Sequence, residues 1–537
     1  MNWNFGDILD GIESGISKDA PAIIHGDRTV TWGEFSSRTN NLARALQNRG
    51  LNPGDKVGFY VRNSNAYPEC LAACFKARLV HVNVNFRYRD KELWYILDNS
   101  DAKAVVYDAE FSNEVEALKD RLPGVVAWIQ VGGQSLKFSD DYENLVTDGL
   151  GKALEVERSG EDLLFVYTGG TTGMPKGVMW RAEDLWFALG GGINTPANRG
   201  EAPESIEAHV NNVLRAGPGG RQIPCCPLMH GTGLFTAVTT LLGAGCVITL
   251  QSPGFDASEA FSAVEKHQAD SLVIVGDAFA RPMLNALESE PNKWDISSIK
   301  VIVSSGVMWS RDIKQALLKF NDKMMLVDLF GSSEAIGFGT SITTAKGETR
   351  TAKFQIGDKC KVFTEDHKEV APGSDERGFI ARCGPIPVGY YKDEEKSAKT
   401  FPTIKGVRYS IPGDWCTVAE DGTLTLLGRG SNCINSAGEK IYPEEVEEVL
   451  KTTDSVEDAL VVGVPDEKWG SAVVAVVELS SGYELDEQTI RESVRGQLAG
   501  YKVPKRIFAV AKMFRAPNGK ADYKSATSHA EASYSST

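Results

Sequence analysis

Leu163-Leu-Phe-Val-Tyr167 is an apolar run that stops abruptly at Thr168-Gly-Gly-Thr-Thr-Gly-Met-Pro-Lys-Gly177, and the rest of the chain is read outward from this junction. Apolar residues ending in glycines and hydroxyls predict a buried strand emptying into a mobile loop. Glycine lets backbone N–H groups come close to an anion, the hydroxyls of Thr168, Thr171 and Thr172 add donors, and Lys176 adds a point charge. The composition therefore suits a polyphosphate. The Walker loop, Gly-x4-Gly-Lys-Ser/Thr, sets its lysine directly after the last glycine and follows it with a hydroxyl that holds magnesium. Here Met174 and Pro175 intervene and Gly177 follows Lys176, so that reading fails. The plain alternative is a glycine-rich hairpin without a ligand, but these glycines, threonines and a lysine are more than a turn requires.

At 537 residues the chain exceeds one ordinary core and predicts two to four domains. Its formal charge of −15 argues against nucleic acid or an anionic membrane surface as the main partner. No run approaches the roughly 20 apolar residues of a membrane span. Met1 to Gly15 carries acids where a secretory signal would carry lysines, so a cytoplasmic placement is expected. Nine cysteines, at 70, 74, 225, 226, 246, 360, 383, 416 and 433, include no Cys-x2-Cys pair. Free thiols are expected, and the adjacent Cys225 and Cys226 lack the histidine or carboxylate cluster a metal would need.

Residues 1 to 160 alternate helical patterns with short apolar strands (Ala22 to Ile24, Val57 to Val61, Ala104 to Tyr107), which predicts helices laid on a mostly parallel sheet. Thr31 and Glu34 have the spacing of a capping box. The glycine-rich stretch 182–222 reads as a partly helical insertion. His230 lies in a glycine-bordered turn, Pro224-Cys-Cys-Pro-Leu-Met-His-Gly-Thr-Gly233, ahead of an apolar helical run from Leu234 to Leu242. Two later strands end like the first: Lys300-Val-Ile-Val303 runs into Ser304-Ser-Gly-Val307, and Met324-Met-Leu-Val-Asp328 into Phe330-Gly-Ser-Ser-Glu334. Open α/β sheets bind ligands at the carboxyl ends of their strands, so these three loops predict one nucleotide site.

Residues 355–429 have the dense glycine, charge and short β patterns of a small antiparallel sheet. A composition shift after Arg429 places a hinge at 430–432, with Ser431 as the small polar pivot. Residues 433–524 read as a compact α+β domain, with Pro443 in a helix's first turn, strands at Val456 to Val464, Ala472 to Leu479 and Arg506 to Val510, and an amphipathic helix from Asp486 to Leu498. It closes on the turn Arg515-Ala-Pro-Asn-Gly-Lys520. The Ser/Ala/Thr/His tail, 525–537, is expected to be disordered.

Together these segments resemble the adenylate-forming superfamily, which includes acyl-CoA synthetases, peptide-synthetase adenylation domains and luciferases. The resemblance covers most of the chain. It implies an α/β fold: a large N-terminal domain, 1–429, of mostly parallel sheets flanked by helices, with its small β-rich subdomain, and a mobile α+β C-terminal domain. It implies that Thr168, Gly169, Gly170, Thr171, Thr172, Gly173 and Lys176 cradle the phosphates of ATP. Ser305, Gly306 and Val307 would lie along the adenine, and Phe330 would stack on it from a nucleotide-binding segment that also includes Asp328, Gly331, Ser332 and Ser333. Glu334, with Thr168, would bind Mg2+. Asp414 matches the acid that accepts from both ribose hydroxyls, and Arg429 the arginine that reaches the same sugar. His230 falls beside the acyl carboxylate, with Gly233, Phe235, Phe279 and Phe338 as pocket walls. Gly438, in Asn435-Ser-Ala-Gly-Glu-Lys440, matches the lining of the thiol's channel. Lys520, in Pro-x-Gly-Lys, matches the catalytic lysine, and Lys176, Glu334 and His230 complete the catalytic set. Phe379 stands where a glutamate is common, and Ser431 where aspartate or lysine is.

The implied activity has two steps: ATP and a carboxylate give acyl-AMP and pyrophosphate, then coenzyme A displaces AMP to give a thioester. Trp180-Arg181, the glycine-rich insertion, Gly276 to Arg281, Gly428 to Ser431 and Gly519 to Tyr523 resemble actinobacterial acyl-CoA synthetases acting on steroid side chains, so a medium-chain or bulky acid is expected. The expected partners are that acid, ATP and CoA, with no nucleic acid; a homodimer is left open. A stand-alone adenylation domain or acyl-AMP ligase loading another acceptor is the nearest alternative. The peptide-synthetase form would usually carry an aspartate for a substrate amine near His230 and often a carrier attachment site of Gly-Gly-x-Ser type, and neither is apparent in these residues. A luciferase-type oxygenase shares the adenylation parts. A silent nucleotide-binding regulator would be expected to lose Lys520 or Glu334, and both are present.

Overall fold

Strands that alternate with helices assemble in parallel, because a helical crossover returns the chain to the same end of the sheet. A computed structural model of the chain describes residues 2–168, 174–307, 309–347, 353–374, 376–429, 432, 434–436, 439–466, 470–498, 500–516 and 519–534, with the backbone alone at 429, 435, 439, 440 and 470. It divides into two compact units: Met1–Gly337, Ile342–Thr349 and Cys383–Ser410 form the first, and Phe338–Ser341, Arg350–Arg382 and Ile411–Thr537 the second.

The first unit holds two helix-flanked sheets. One runs, in order across it, Gly389–Tyr390, Lys176–Arg181, Leu163–Thr168, Val80–Asn83, Lys56–Tyr60, Ala102–Asp108, Ala127–Val131 and Asp140–Asp141, parallel from Leu163–Thr168 onward. The other sets Pro21–His25, Cys246–Thr249, Arg221–Pro224, Ser271–Ile274, Val301–Ser305 and Met325–Ser332 side by side, all parallel. Each sheet has its own core, one centred on Phe59, Val82, Phe165 and Trp180, the other on Ile223, Leu272, Ile302 and Leu326. The helix Trp32–Asn48 starts as expected, with the Glu34 N–H donating to Thr31 Oγ1 at 3.3 Å. Only half of the capping box forms, because the Glu34 carboxylate pairs with Arg28 instead.

The last parallel strand is longer than its apolar pattern predicts. It reaches Ser332, so Asp328, Phe330, Gly331 and Ser332 lie on the strand, and the turn is confined to Ser333 and Glu334. Close packing explains the extension: a Cβ on Gly331 would stand 3.1 Å from the Ala335 carbonyl and 3.2 Å from the Gly337 nitrogen, so glycine lets the returning strand approach.

In the second unit the expected small antiparallel sheet forms from Lys353–Ile356, Cys360–Phe363, Gly378–Cys383, Asp414–Val418 and Leu424–Arg429. These strands group with the C-terminal residues rather than within 1–429 as the sequence suggested. Segment 383–410 leaves them because Gly389–Tyr390 pairs with Lys176–Arg181 in the first unit. Ser431 lies outside the described residues. Val456–Asp466, Gly470–Leu479 and Arg506–Val510 form a three-stranded sheet. Helices Pro443–Leu450 and Glu487–Gln497 cover one face.

The expectation of a disordered tail is overturned. Residues Tyr523–Tyr534 form a helix that covers the sheet's other face, where Leu460, Val462, Val464, Val474 and Val476 would otherwise meet water. Ala526 and Ala530, one turn apart and fully buried, let it lie close, and Asp522 holds its first turn through the Ser525 N–H at 3.1 Å. Low hydropathy hid this helix because its buried stripe is alanine.

Candidate active site

The glycine-threonine segment joins a hairpin. Leu163–Thr168 pairs antiparallel with Lys176–Arg181, in a register that ends on Thr168 opposite Lys176. Thr168 is half-buried, and Gly169, Gly170, Thr171, Thr172 and Gly173 lie outside the described residues. Gly177 serves packing: a Cβ there would stand 2.7 Å from the ring of Tyr167, its cross-strand partner. The Lys176 ammonium pairs with Asp393 and thereby holds that carboxyl below its ordinary range. Asp393 also caps the helix Glu394–Thr400, accepting from the Lys396 N–H at 3.0 Å. Lys176 is thus anchored at the base of the hairpin, a contact the sequence did not announce.

Asn83, at the carboxyl end of the neighbouring strand, ties this hairpin to the histidine turn. Its buried amide donates to the carbonyls of Tyr167 (2.9 Å) and Met229 (2.8 Å) and accepts from the Tyr167 N–H (2.6 Å). Two residues earlier, His81 bonds the Phe165 carbonyl at 3.1 Å and the Tyr67 hydroxyl at 2.9 Å. Burial pushes its pKa down to about 3, so it stays neutral beneath the strand. His230 itself is half-buried and occupies the N-cap position of the helix Gly231–Leu242. Gly233 is fixed by packing, since a Cβ would stand 2.7 Å from the Pro227 carbonyl.

Glu334 is nine-tenths buried at the tip of its turn. Tyr390 donates to its Oε1 at 2.9 Å, and Ser410 Oγ to its backbone carbonyl at 2.6 Å. Trp180, on the second strand of the glycine-threonine hairpin, donates from Nε1 to the Ser333 carbonyl at 2.9 Å. Gly231 lies against the same turn, with a Cβ there only 3.7 Å from Ser333 Oγ. The hairpin, the histidine turn and the Glu334 turn are therefore joined inside one unit. Ser305 ends its strand and Gly306 takes a φ of +94°, with Val307 half-buried beyond it. Ser304 beneath them accepts from the Gly276 N–H at 2.9 Å. Asp328 forms a buried ion pair with Lys314. Phe235 and Phe279 are buried, the latter with its ring centroid 5.0 Å from that of Phe255.

In the second unit, Asp414 and Arg429 are direct partners across an antiparallel pair, and Asp414 is buried. Phe338 is fully buried. Gly438 lies outside the described residues, and Lys520 is exposed on its turn. Among the described residues no three His, Cys, Asp or Glu side chains are grouped to hold a metal ion. Mg2+ fits what is present, because it is commonly held by one or two carboxylates together with substrate phosphates, and Glu334 is a buried, hydrogen-bonded carboxylate at the turn tip. No helix among the described residues is long and apolar enough to cross a membrane.

Residues 15–386 match the AMP-binding enzyme family, and residues 445–520 match the AMP-binding enzyme C-terminal domain. The chain belongs to the AMP-binding enzyme family. Within it, this AMP-binding enzyme falls among the acyl-CoA synthetases. It is 40% identical to the 3-oxocholest-4-en-26-oate–CoA ligase of Rhodococcus rhodochrous, over 96% of this chain and 94% of that protein. It is 37% identical to the medium-chain acyl-CoA ligase Mig of Mycobacterium avium, over 94% of each chain. Among solved structures, the anthranilate CoA ligase AuaEII with anthranoyl-AMP superposes at a TM-score of 0.83 and 21% identity, covering 99% of this chain and 98% of that one, and so shares the fold.

Sequence reasoning missed Asn83, Trp180, Tyr390 and Asp393 as links of the site. A polar amide ending the strand Val80-His-Val-Asn83 was a usable signal, since carboxyl strand ends face ligands in such sheets. The tryptophan and tyrosine links depend on contacts between distant segments, which no local pattern carries.

Proposed function

We propose that this AMP-binding enzyme is a cytoplasmic acyl-CoA synthetase for a medium-chain or bulky, steroid side-chain-like carboxylic acid. The observation that supports the site assignment most is the joining of the phosphate hairpin, the His230 turn and the Glu334 turn by Asn83, Trp180 and Gly231. The hairpin and Lys176 hold the phosphates of ATP, Phe330 and the Ser305 to Val307 segment hold adenine, and Asp414 with Arg429 holds ribose. His230 sets the acid so that its carboxylate oxygen attacks the α-phosphorus, forming acyl-AMP as the bond to pyrophosphate breaks. Lys520 bridges an α-phosphate oxygen and the attacking carboxylate while keeping its protons, so catalysis is alignment and charge neutralisation. Glu334 and Thr168 would hold Mg2+, which supplies positive charge to the departing pyrophosphate. In the second step the thiol of CoA attacks the acyl carbon and AMP leaves, with the Gly438 segment lining the thiol's path and Ser431 as the pivot between steps.

Two relatives whose names specify a steroid carboxylate and medium-chain acids support the choice of acid. The test is a panel running from acetate through medium-chain acids to a sterol carboxylate, read as CoA thioester formed. The highest kcat/KM should fall between the medium-chain and sterol acids. A maximum at acetate would overturn the substrate assignment, and AMP release without thioester would overturn CoA as acceptor.

A further inference from the structure

Lys520 stands on a turn whose fastening is unusually specific. The backbone closes through the Ala516 N–H on the Lys520 carbonyl (2.8 Å) and the Gly519 N–H on the Ala516 carbonyl (2.9 Å), and Arg515 bridges antiparallel to Ala521. The Arg515 guanidinium lies mostly out of solvent and grips Asp458 with two arms, Nε at 2.5 Å from Oδ2 and Nη2 at 2.6 Å from Oδ1. Its third nitrogen, Nη1, donates to the carbonyl of Gly519 at 3.1 Å, the peptide unit directly before Lys520.

Asp458 belongs to the strand Val456–Asp466, which is paired along its length with Gly470–Leu479. Burial alone would raise the Asp458 carboxyl, but the hydrogen bonds and charge of Arg515 outweigh it and hold the group below its usual range. A planar, permanently charged fork can meet a carboxylate on one edge and a carbonyl on the other, a geometry that a lysine does not reproduce.

We propose that Arg515, held by Asp458, is a positioning residue that sets the backbone of the Lys520 turn for the adenylation step. The inference rests on the assignment of Lys520 to that step. A misplacement of about 1 Å in a positioned group costs as much as about 100-fold in rate, so losing the fork should slow adenylation while leaving the second step, which does not use Lys520, in place.

The test measures two half-reactions on the full chain: acid-dependent pyrophosphate–ATP exchange without CoA, and thioester formation from a synthetic acyl adenylate plus CoA. Arg515→Gln should lower kcat for exchange by roughly 30-fold with KM for ATP within about twofold, and leave thioester formation within about twofold. Arg515→Lys should restore only a small part of that loss. Because Arg515 acts through Lys520, the double variant Arg515→Gln/Lys520→Ala should be no slower in exchange than Lys520→Ala alone. If Arg515→Gln fails to fold, Asp458→Asn, which keeps one acceptor, takes its place and should lose about fivefold in exchange only. Equal losses in both half-reactions, or full additivity in the double variant, would overturn the proposal. A crippled Lys520→Ala beside an unaffected Arg515→Gln would overturn this inference alone, whereas exchange at the wild-type rate in Lys520→Ala would overturn the Lys520 assignment and this inference with it.

Discussion

Around Glu334 the polar links run through buried groups, whereas Lys520 is exposed on a turn that Arg515 holds through the Gly519 carbonyl. Asn83, Trp180 and Tyr390 fix three segments of the first unit by hydrogen bonds of 2.6 to 2.9 Å. Such a set is preorganised: its donors and acceptors are ordered before any ligand arrives, and breaking one leaves a buried group unsatisfied. The Lys520 turn instead sets its lysine at the surface, and under the proposed mechanism that ammonium serves one transition state and is withdrawn afterwards. The difference teaches where damage should spread, through the whole site in the first case and through one chemical step in the second.

The strongest break of that contrast is Lys520→Ala. Exchange of pyrophosphate into ATP should fall about 1,000-fold, an effect of the size seen when a transition-state charge partner is removed. Thioester formation from preformed acyl adenylate should stay within about threefold, and equal damage to both steps would erase the distinction. Asn83→Leu probes the other side: removing one amide leaves two carbonyls and one N–H without their buried partner. The expected result is a loss of roughly 100-fold in kcat/KM for ATP and for the acid alike, with a lowered thermal midpoint. Glu334→Gln should raise the Mg2+ concentration for half-maximal exchange by about tenfold, and an unchanged metal titration would remove its ligand role.

The smallest effect is one of pH and stability. Burial, with the neighbouring charge of Glu444, pushes the Glu447 carboxyl up to about 8, where it accepts from Tyr523 Oη at 3.0 Å and from the Val461 N–H at 2.9 Å. Its unfolded value is near 4.5, so between these limits the folded state binds the extra proton. The group's stabilising contribution is complete below about pH 4.5 and is lost as pH rises toward about 8. Thermal midpoints measured from pH 5 to 8 should therefore fall by a few degrees more in the wild type than in Glu447→Gln.

Much of this was legible in the chain because it was written locally. Helical patterns alternating with short apolar strands declared the first unit's parallel sheets, and Thr31 and Pro443 announced helix starts that form as expected. The tail helix was not legible, since alanine at 526 and 530 is uninformative until a neighbouring apolar sheet face needs covering. Gly177, Gly231 and Gly233 sit in glycine-rich motifs, but each packs closely, against Tyr167, Phe235 and Pro227 in turn. The Asp393 partner of Lys176 lies more than two hundred residues downstream, and only the pairing of Gly389–Tyr390 with Lys176–Arg181 brings it near. Residue types are local facts, and the company they keep is set by topology.

The most direct measurement is acid-dependent exchange of labelled pyrophosphate into ATP by the whole chain in the complete absence of CoA. The account predicts exchange that appears only when a suitable medium-chain or sterol carboxylic acid and Mg2+ are both supplied. Exchange that proceeds without any acid, or that stays absent across the whole acid panel while CoA thioester still forms, would contradict it.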